Sequence, residues 1–170
     1  ASLISRLRAT YRPAQTDEFQ DVLLNAIVKD IQTLVGTYMR HRNIKFELDA
    51  SPGLPVISGI PDQLRQVVLN LFMNATDAMP DGGNLKVQTK YAPEKDQILL
   101  VVKDTGTGID PKLLPHIFEP YITNKNNGTG LGLTISREIV NQLGGELRAE
   151  NHPEGGACFL IALPAAKQGV

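Results

Sequence analysis

The fold of this 170-residue chain is decided by residues 98–108, whose letters are ILLVVKDTGTG. The first half is apolar at consecutive positions, which predicts a central strand of a sheet, covered on both faces. Asp104 follows this strand directly, and Gly106 and Gly108 follow the aspartate. A carboxylate at a strand end, beside glycines, puts a hydrogen-bond acceptor next to backbone that a ligand can approach closely. Taken alone, the same residues also suit an ordinary turn.

Helical patterns precede this stretch in two places. The first is predicted to start at a cap on Thr16 or Asp17 and to end at about His41. Its apolar residues recur at intervals of three and four and form one face. They are Leu23, Leu24, Ile27, Val28, Ile31, Leu34 and Val35. The second pattern begins at Pro61, where a missing N–H costs nothing in a first turn, and ends at the turn over residues 80–83.

Strands and one more helix complete the pattern. Alternating apolar residues predict strands at residues 44–48 and 85–91, and helical spacing recurs over residues 131–143. The last two strands, at residues 146–150 and 157–163, flank a glycine-containing turn and predict a hairpin. Together these elements predict an α+β fold, a two-layer α/β sandwich in which three helices cover one face of a mixed sheet.

The composition argues against several classes of function. Lys and Arg number 17 against 18 Asp and Glu, so the net charge of −1 gives no electrostatic reason to expect a nucleic acid or an anionic membrane as partner. No apolar run approaches the roughly 18 residues that a membrane-spanning helix needs. The one cysteine, Cys158, cannot form an internal disulfide, which predicts a cytoplasmic location.

Three further groups of residues are candidates for chemistry. Asn70, Asn74 and Asp77 share one face of the helix that starts at Pro61, although a solvated face explains them equally well. Residues 118–121, Phe-Glu-Pro-Tyr, precede a polar stretch and are typical of a hinge beside a mobile segment, or of a plain surface loop. The glycine-rich residues 128–133 open a helix, where free N–H groups and the helix dipole favour phosphate. Their spacing matches neither a Rossmann fingerprint nor a P-loop.

The order and spacing of the four motifs resemble the ATP-binding catalytic domain of bacterial sensor histidine kinases, within the GHKL ATPase superfamily. Residues 69–75 resemble the N box, 104–108 the G1 box, 118–121 the F box and 128–133 the G2 box. The resemblance extends over about residues 17–163. It implies a Bergerat-type sandwich, with ATP between the helices and a lid that joins the F and G2 boxes. The lid is short and resembles that of the nitrogen-sensing type of kinase.

The resemblance implies a role for each candidate residue. Asp104 would accept a hydrogen bond from the adenine amino group. Asn74 would bind Mg²⁺ and Lys125 would bring a mobile positive charge to the phosphates, so these two would be the catalytic residues. The other implied contacts to ATP are Asn70, Asp77, Gly106, Gly108, Ile109, Tyr121, Gly128, Thr129, Gly130, Leu131 and Gly132. Asp77 stands where a subset of these kinases carries a basic residue.

The reaction depends on which nucleophile attacks the γ-phosphate. In the gyrase and chaperone ATPases of the superfamily, a glutamate four residues before the metal-binding asparagine activates water. Here Asn70 holds that position, and an amide is not a useful base. None of His41, His116 and His152 is followed by the Glu and Asn-Pro of the acceptor motif. The resemblance therefore implies a protein histidine kinase whose acceptor histidine lies in a separate dimerisation domain. A GHKL serine kinase like the anti-sigma-factor kinases, or a non-catalytic nucleotide-dependent interaction module, is the alternative.

Three regions are predicted along the chain. Residues 1–16 are expected to be the tail of an upstream dimerisation helix and a linker, residues 17–165 the catalytic ATP-binding domain, and residues 166–170 a C-terminal tail. The implied partners are the kinase's own dimerisation domain and, through the full-length kinase, a response regulator. The full-length kinase is expected to be a homodimer, with no nucleic-acid partner and no membrane contact by this domain.

Overall fold

The computed structural model describes residues 18–123 and 129–166, and the structural statements below concern these residues alone. Its helices are α1 (Leu24–His41), α2 (Pro61–Asp77) and α3 (Gly132–Gln142), and a short 3-10 turn spans Leu114–His116. Its strands are β1 (Gln20–Val22), β2 (Ile44–Ala50), β3 (Ile57–Gly59), β4 (Gly83–Ala92), β5 (Gln97–Asp104), β6 (Glu146–Asn151) and β7 (Ala157–Pro164). Within this part of the chain, no helix is long and apolar enough to cross a membrane.

The main sheet has the strand order β2–β4–β5–β7–β6. Strands β2 and β4 run parallel, and the crossover that a parallel pair needs is supplied by β3 and α2. The other pairs, β4–β5, β5–β7 and β6–β7, are antiparallel, and short turns join β4 to β5 and β6 to β7. β1 and β3, which were not predicted, form a separate two-stranded sheet. The predicted mixed sheet, its hairpin and its three covering helices are confirmed.

Strand β5 is central, as predicted, but only one of its faces is fully covered. Ile98 and Val102 are at most 1% exposed and belong to the core beneath the helices. Leu99 and Val101, which alternate with them, are only half-buried on the opposite face. The prediction that this strand is covered on both faces is therefore wrong. Its consecutive apolar residues are explained by a central position between β4 and β7, whose side chains shield the outer face in part.

The start of α1 also differs from the prediction. The helix begins at Leu24, and the residues just before Leu23 form β1, which pairs with β3. Val22 is 4% exposed and lies opposite Ile57, so this segment buries its apolar side chain as a strand rather than as a further helical turn. The caps predicted at Thr16 and Asp17 lie outside the described residues.

Two leucines were assigned to the buried face of α1 and do not lie on it. Leu23 precedes the first turn and is 56% exposed, and Leu34 is 40% exposed. On a helical wheel Leu34 lies about 90° from the centre of the buried stripe, so three-residue spacing alone placed it on the wrong side of the boundary.

Helix α2 brings the polar stripe next to the loop that follows β5. It begins at Pro61, as predicted, and buries one face that includes Leu64 and Phe72. The turn after it is tight, because a Cβ on Gly83 would lie 2.7 Å from the Thr105 hydroxyl and even closer to Met79. The end of α2 is thus packed against the residues that follow the central strand, which is where the candidate site lies.

Candidate functional site

Asp104, the last residue of β5, is 2% exposed. One of its carboxylate oxygens, Oδ1, accepts hydrogen bonds from the backbone N–H of Gly106 at 2.8 Å and of Ala157 at 3.2 Å. Burial raises the pKa of Asp104, and these two N–H groups act in the opposite direction. Within the part of the chain that the structure describes, Oδ2 has no hydrogen-bond partner. The carboxylate is therefore held in one orientation, with a second oxygen left to accept a bond.

The G1 loop, which we define as residues 105–109, lies across the end of α2. The N–H of Thr107 donates to the carbonyl of Ala78 at 3.0 Å. A Cβ on Gly106 would overlap that same carbonyl oxygen, so no other residue fits there without a shift of the backbone. Gly106 was predicted to let backbone approach a nucleotide, and the structure adds a second reason for it, the contact with α2.

The far end of the G1 loop is held by a residue that sequence reasoning missed. The N–H of Ile109 donates to Oδ1 of Asn151 at 2.7 Å, and Nδ2 of Asn151 donates to the carbonyl of Ile109 at 2.6 Å. Gly108 has a φ of +74°, and a Cβ there would lie 3.0 Å from Oδ1 of Asn151. An asparagine before a hairpin turn gives no sequence signal of this contact, because turns favour asparagine anyway.

Asn70 links the N box to the G2 box. It is 8% exposed, and its Nδ2 donates to the carbonyl of Gly132 at 3.1 Å and to the hydroxyl of Ser136 at 3.2 Å. The Ser136 hydroxyl in turn donates to the Gly132 carbonyl at 2.8 Å. The amide face predicted for α2 is therefore not simply solvated. One of its members fixes the start of α3, and its assignment as a nucleotide contact stays a prediction.

The other two residues of that face lie further along α2. Asn74 and Asp77 are both half-buried. A carboxylate oxygen of Asp77 lies 3.9 Å from a guanidinium nitrogen of Arg42, which follows α1. Arg42 also packs over the ring of Tyr38, with 5.5 Å from its guanidinium carbon to the ring centroid. A basic side chain, that of Arg42, thus lies near Asp77, but it comes from the end of α1 and not from the N box.

The F and G2 boxes meet on either side of residues 124–128, which lie outside the described residues. The N–H of Tyr121 donates to the carbonyl of Gly130 at 3.0 Å, and both residues have positive φ. A Cβ on Gly130 would lie 2.5 Å from the Tyr121 backbone, so a glycine is needed for this contact. The guanidinium of Arg137 in α3 lies over the ring of Phe118 in the F box, with 5.4 Å from the guanidinium carbon to the ring centroid. Lys125 and Gly128 lie outside the described residues, and the short lid stays a prediction.

The start of α3 presents polar groups that the described residues leave partly unused. The helix begins at Gly132, one residue later than predicted, and Leu131 provides no side-chain cap. The N–H of Leu131 donates to the Thr129 hydroxyl at a long 3.4 Å. The Thr134 hydroxyl, in the first turn, is buried and has no hydrogen-bond partner within the described residues. A helix start of this kind suits an anionic ligand.

Two of the three histidines have local partners. His116 lies with Nδ1 at 2.7 Å from a carboxylate oxygen of Glu119, and His152 lies with Nε2 at 2.6 Å from the ammonium group of Lys103. His41 is exposed at the end of α1. These surroundings agree with the sequence-based view that the histidines are structural or solvated.

Comparison with known proteins shows which family this fold and these motifs belong to. Residues 59–167 match the family described as histidine kinase-, DNA gyrase B-, and HSP90-like ATPase. The chain is 34% identical over 163 residues to sporulation kinase E of Bacillus subtilis, which covers 96% of this chain and 22% of that protein. It is 37% identical over 162 residues to sensor histidine kinase ZraS of Salmonella typhimurium, which covers 95% of this chain and 34% of that protein.

The solved structures give the same answer for the fold. The catalytic domain of histidine kinase ThkA superposes with a TM-score of 0.79 at 29% identity, over 87% of this chain and 96% of that one. This chain spans between about a fifth and a third of the length of the curated relatives named above. With the family match, the sandwich and the four motifs in agreement, the chain belongs to the histidine kinase-, DNA gyrase B- and HSP90-like ATPase family.

Proposed function

We propose that this chain is the ATP-binding catalytic part of a two-component sensor histidine kinase, which transfers the γ-phosphoryl group of ATP to a histidine of a separate dimerisation domain. In that step an N–P bond to the imidazole forms, the bond between the γ-phosphorus and its bridging oxygen breaks, and ADP leaves. The observation that carries the proposal is the position of Asn70, because it distinguishes phosphotransfer from hydrolysis within the family.

Asn70 occupies the place at which the water-activating glutamate is expected in hydrolysing relatives. Its amide cannot take a proton from water near neutral pH. Its Nδ2 is also engaged by Gly132 and Ser136, so the side chain serves as a link between α2 and α3. This arrangement supports slow hydrolysis and leaves the γ-phosphoryl group available to a nucleophile other than water.

Adenine recognition is assigned to Asp104. Both N–H donors act on Oδ1, which leaves Oδ2 to accept a hydrogen bond from the exocyclic amino group of adenine. A purine with a 6-oxo group has no donor at that place and would leave the buried carboxylate oxygen without a partner. This arrangement therefore favours ATP over nucleotides of guanine or hypoxanthine.

Mg²⁺ and the phosphates are assigned to α2 and the start of α3. No cluster of three His, Cys, Asp or Glu side chains that could hold a metal exists among the described residues. We assign the metal to the amide oxygen of Asn74, because Mg²⁺ takes few protein ligands and keeps waters and phosphate oxygens. The start of α3, which has no side-chain cap, fits phosphate oxygens. Bound Mg²⁺ would neutralise phosphate charge, together with Lys125.

The remaining assignments follow the sequence-based expectations. Residues 1–16 are proposed to be the tail of the upstream dimerisation helix and a linker, and the full-length homodimer is proposed to act in the cytoplasm on a response regulator. The relatives named above are several times longer than this chain, which leaves room in such proteins for a sensor and a dimerisation domain.

Incubation with radiolabelled ATP and Mg²⁺ tests the proposal. The chain alone is expected to bind ATP, to release phosphate slowly and to acquire little label, whereas a chain extended by the upstream dimerisation helices acquires label on histidine. Phosphohistidine is labile to acid and stable to alkali, so acid-stable label on serine would instead support the serine-kinase alternative. Rapid phosphate release by the chain alone would contradict the role given to Asn70.

A further inference from the structure

We propose that Asn151 is a positioning residue for adenine recognition: its carboxamide, bonded to both backbone polar groups of Ile109, holds the G1 loop so that Asp104 meets the base. This inference rests on the proposed function, since it assumes that Asp104 contacts adenine. It concerns a residue outside all four motifs, 42 residues away from Ile109 along the chain.

The hydrogen-bond geometry carries the first step of the argument. The two bonds between Asn151 and Ile109 measure 2.7 and 2.6 Å, one in each direction, which is the pairing that two backbone amides would make. A primary carboxamide carries an acceptor oxygen and a donor nitrogen side by side at neutral pH, as this pairing requires. The side chain thus replaces a ladder partner at a place where the G1 loop has left the sheet.

The position of Asn151 in the hairpin carries the second step. Asn151 and Ala157 lie opposite each other in the β6–β7 ladder. Ala157 donates its N–H to Oδ1 of Asp104, while Asn151 binds Ile109. A single pair of residues in the hairpin therefore holds both Asp104, just before the G1 loop, and Ile109, at the end of that loop.

The hairpin also packs closely against Asp104, the residue before the G1 loop. A Cβ on Gly156 would overlap the carbonyl oxygen of Asp104. On the opposite side, Ala78 holds the middle of the loop through the N–H of Thr107. Without the Asn151 amide, the Ile109 end of the loop loses its paired hydrogen bonds, and only the contacts at Asp104 and Thr107 still hold the loop.

The first experiment compares ATP with ITP, whose base has a 6-oxo group in place of the amino group. Calorimetric titration of Asn151→Ala is expected to show ATP affinity about tenfold lower, with a smaller loss for ITP, so that the ATP-to-ITP preference falls. A residue that merely stabilised the fold would leave this ratio unchanged in the folded fraction. Asn141→Ala is the matched control, because Asn141 is exposed at the end of α3, and it is expected to keep the wild-type ratio.

The second experiment uses a variant that keeps the shape of the side chain and loses its donor. In Asn151→Asp, the ionised carboxylate can still accept from the Ile109 N–H, but it has no donor for the Ile109 carbonyl. At pH 7.5 its ATP affinity and its ATP-to-ITP preference are expected to be lower than those of the wild type, as in Asn151→Ala.

The outcomes separate this inference from the function on which it rests. If the wild type does not bind ATP in preference to ITP, the proposed function fails, and this inference fails with it. If the wild type shows that preference while folded Asn151→Ala or folded Asn151→Asp keeps the same ratio, Asn151 is structural and the inference alone is overturned. Unfolding curves measured by circular dichroism establish that each variant is folded in the titrations.

Discussion

Replacing Asp104 by asparagine changes the one atom that is proposed to contact adenine, Oδ2, and little else. The substituted side chain would keep an oxygen for the N–H groups of Gly106 and Ala157, but its amide nitrogen would occupy the place of Oδ2. The adenine amino group would then meet a donor instead of an acceptor. Loss of a hydrogen bond to a charged group, with a mismatch left behind, costs about 2–3 kcal/mol. We therefore expect Asp104→Asn to bind ATP about 30- to 150-fold more weakly.

The same substitution is expected to improve the match to a 6-oxo purine. The new amide nitrogen can donate to the 6-oxo group of ITP, which offers an acceptor where adenine offers a donor. Calorimetric titrations of both nucleotides against the wild type and the variant measure the ATP-to-ITP preference directly. The preference is expected to collapse or reverse in the variant, and an unchanged ratio would refute the assignment of Asp104 to adenine.

Folding stability separates this binding effect from damage to the protein. Because burial raises the pKa of Asp104, ionisation of this carboxyl is less favourable in the folded than in the unfolded chain. Its charge therefore costs stability at pH 7, and that cost disappears as the pH falls through the raised pKa. Asp104→Asn is expected to unfold at the wild-type temperature or above it at pH 7. A large loss of stability would contradict the hydrogen-bond pattern described for Oδ1.

Three further predictions concern the same site, and a fourth, Gly36→Ala, is the control for the glycine substitution at position 106. Because burial raises the pKa of Asp104, its carboxyl takes up a proton at a higher pH than an exposed aspartate does. The difference in ATP affinity between the wild type and Asp104→Asn should therefore narrow as the pH falls, as titrations in a pH series would measure. Asn74→Ala should abolish the gain in ATP affinity that Mg²⁺ gives and leave metal-free binding near the wild-type value. Titrations with Mg²⁺ and with a chelator would measure both affinities, and a retained gain would exclude Asn74 as the Mg²⁺ ligand. Gly106→Ala should cost about 1–3 kcal/mol of stability and weaken ATP binding, because its Cβ would overlap the Ala78 carbonyl oxygen. Gly36→Ala, whose Cβ would meet nothing closer than 3.6 Å within α1, should instead stabilise by up to about 1 kcal/mol in thermal unfolding.

Local patterns in the sequence were sufficient for most of the fold. The alternation of β2 and β4, the proline that starts α2 and the turn between β6 and β7 are each set by residues that are neighbours along the chain. The start of α1 was mispredicted because Val22 is buried by Ile57, 35 residues later, and periodicity within one segment contains no information about that partner. The outer face of β5 was mispredicted for a similar reason, since consecutive apolar residues do not distinguish a second helix layer from neighbouring strands.

The candidate site divides in the same way. The residues proposed to touch ATP, such as Asp104 and Asn74, were found because their chemistry and spacing form local motifs. The residues that hold those motifs in place were not found, because they act across long separations, 42 residues from Ile109 to Asn151 and 62 from Asn70 to Gly132. Asn70 was identified as part of a motif, but its bonds to α3 could not be predicted from its spacing.

These two supporting contacts act on opposite ends of the proposed ATP site. Asn151 holds the loop at the adenine end, and Asn70 fixes the start of α3 relative to α2 at the phosphate end. The second contact changes what a glutamate at position 70 would do. A carboxylate there would have no donor for the Gly132 carbonyl, and it would lie against that oxygen with a negative charge. Asn70→Glu would therefore displace the helix start that is proposed to bind phosphate at the same time as it supplies a base. Conversion of this site into an efficient ATPase would require compensating changes in α3 as well as a carboxylate in the N box.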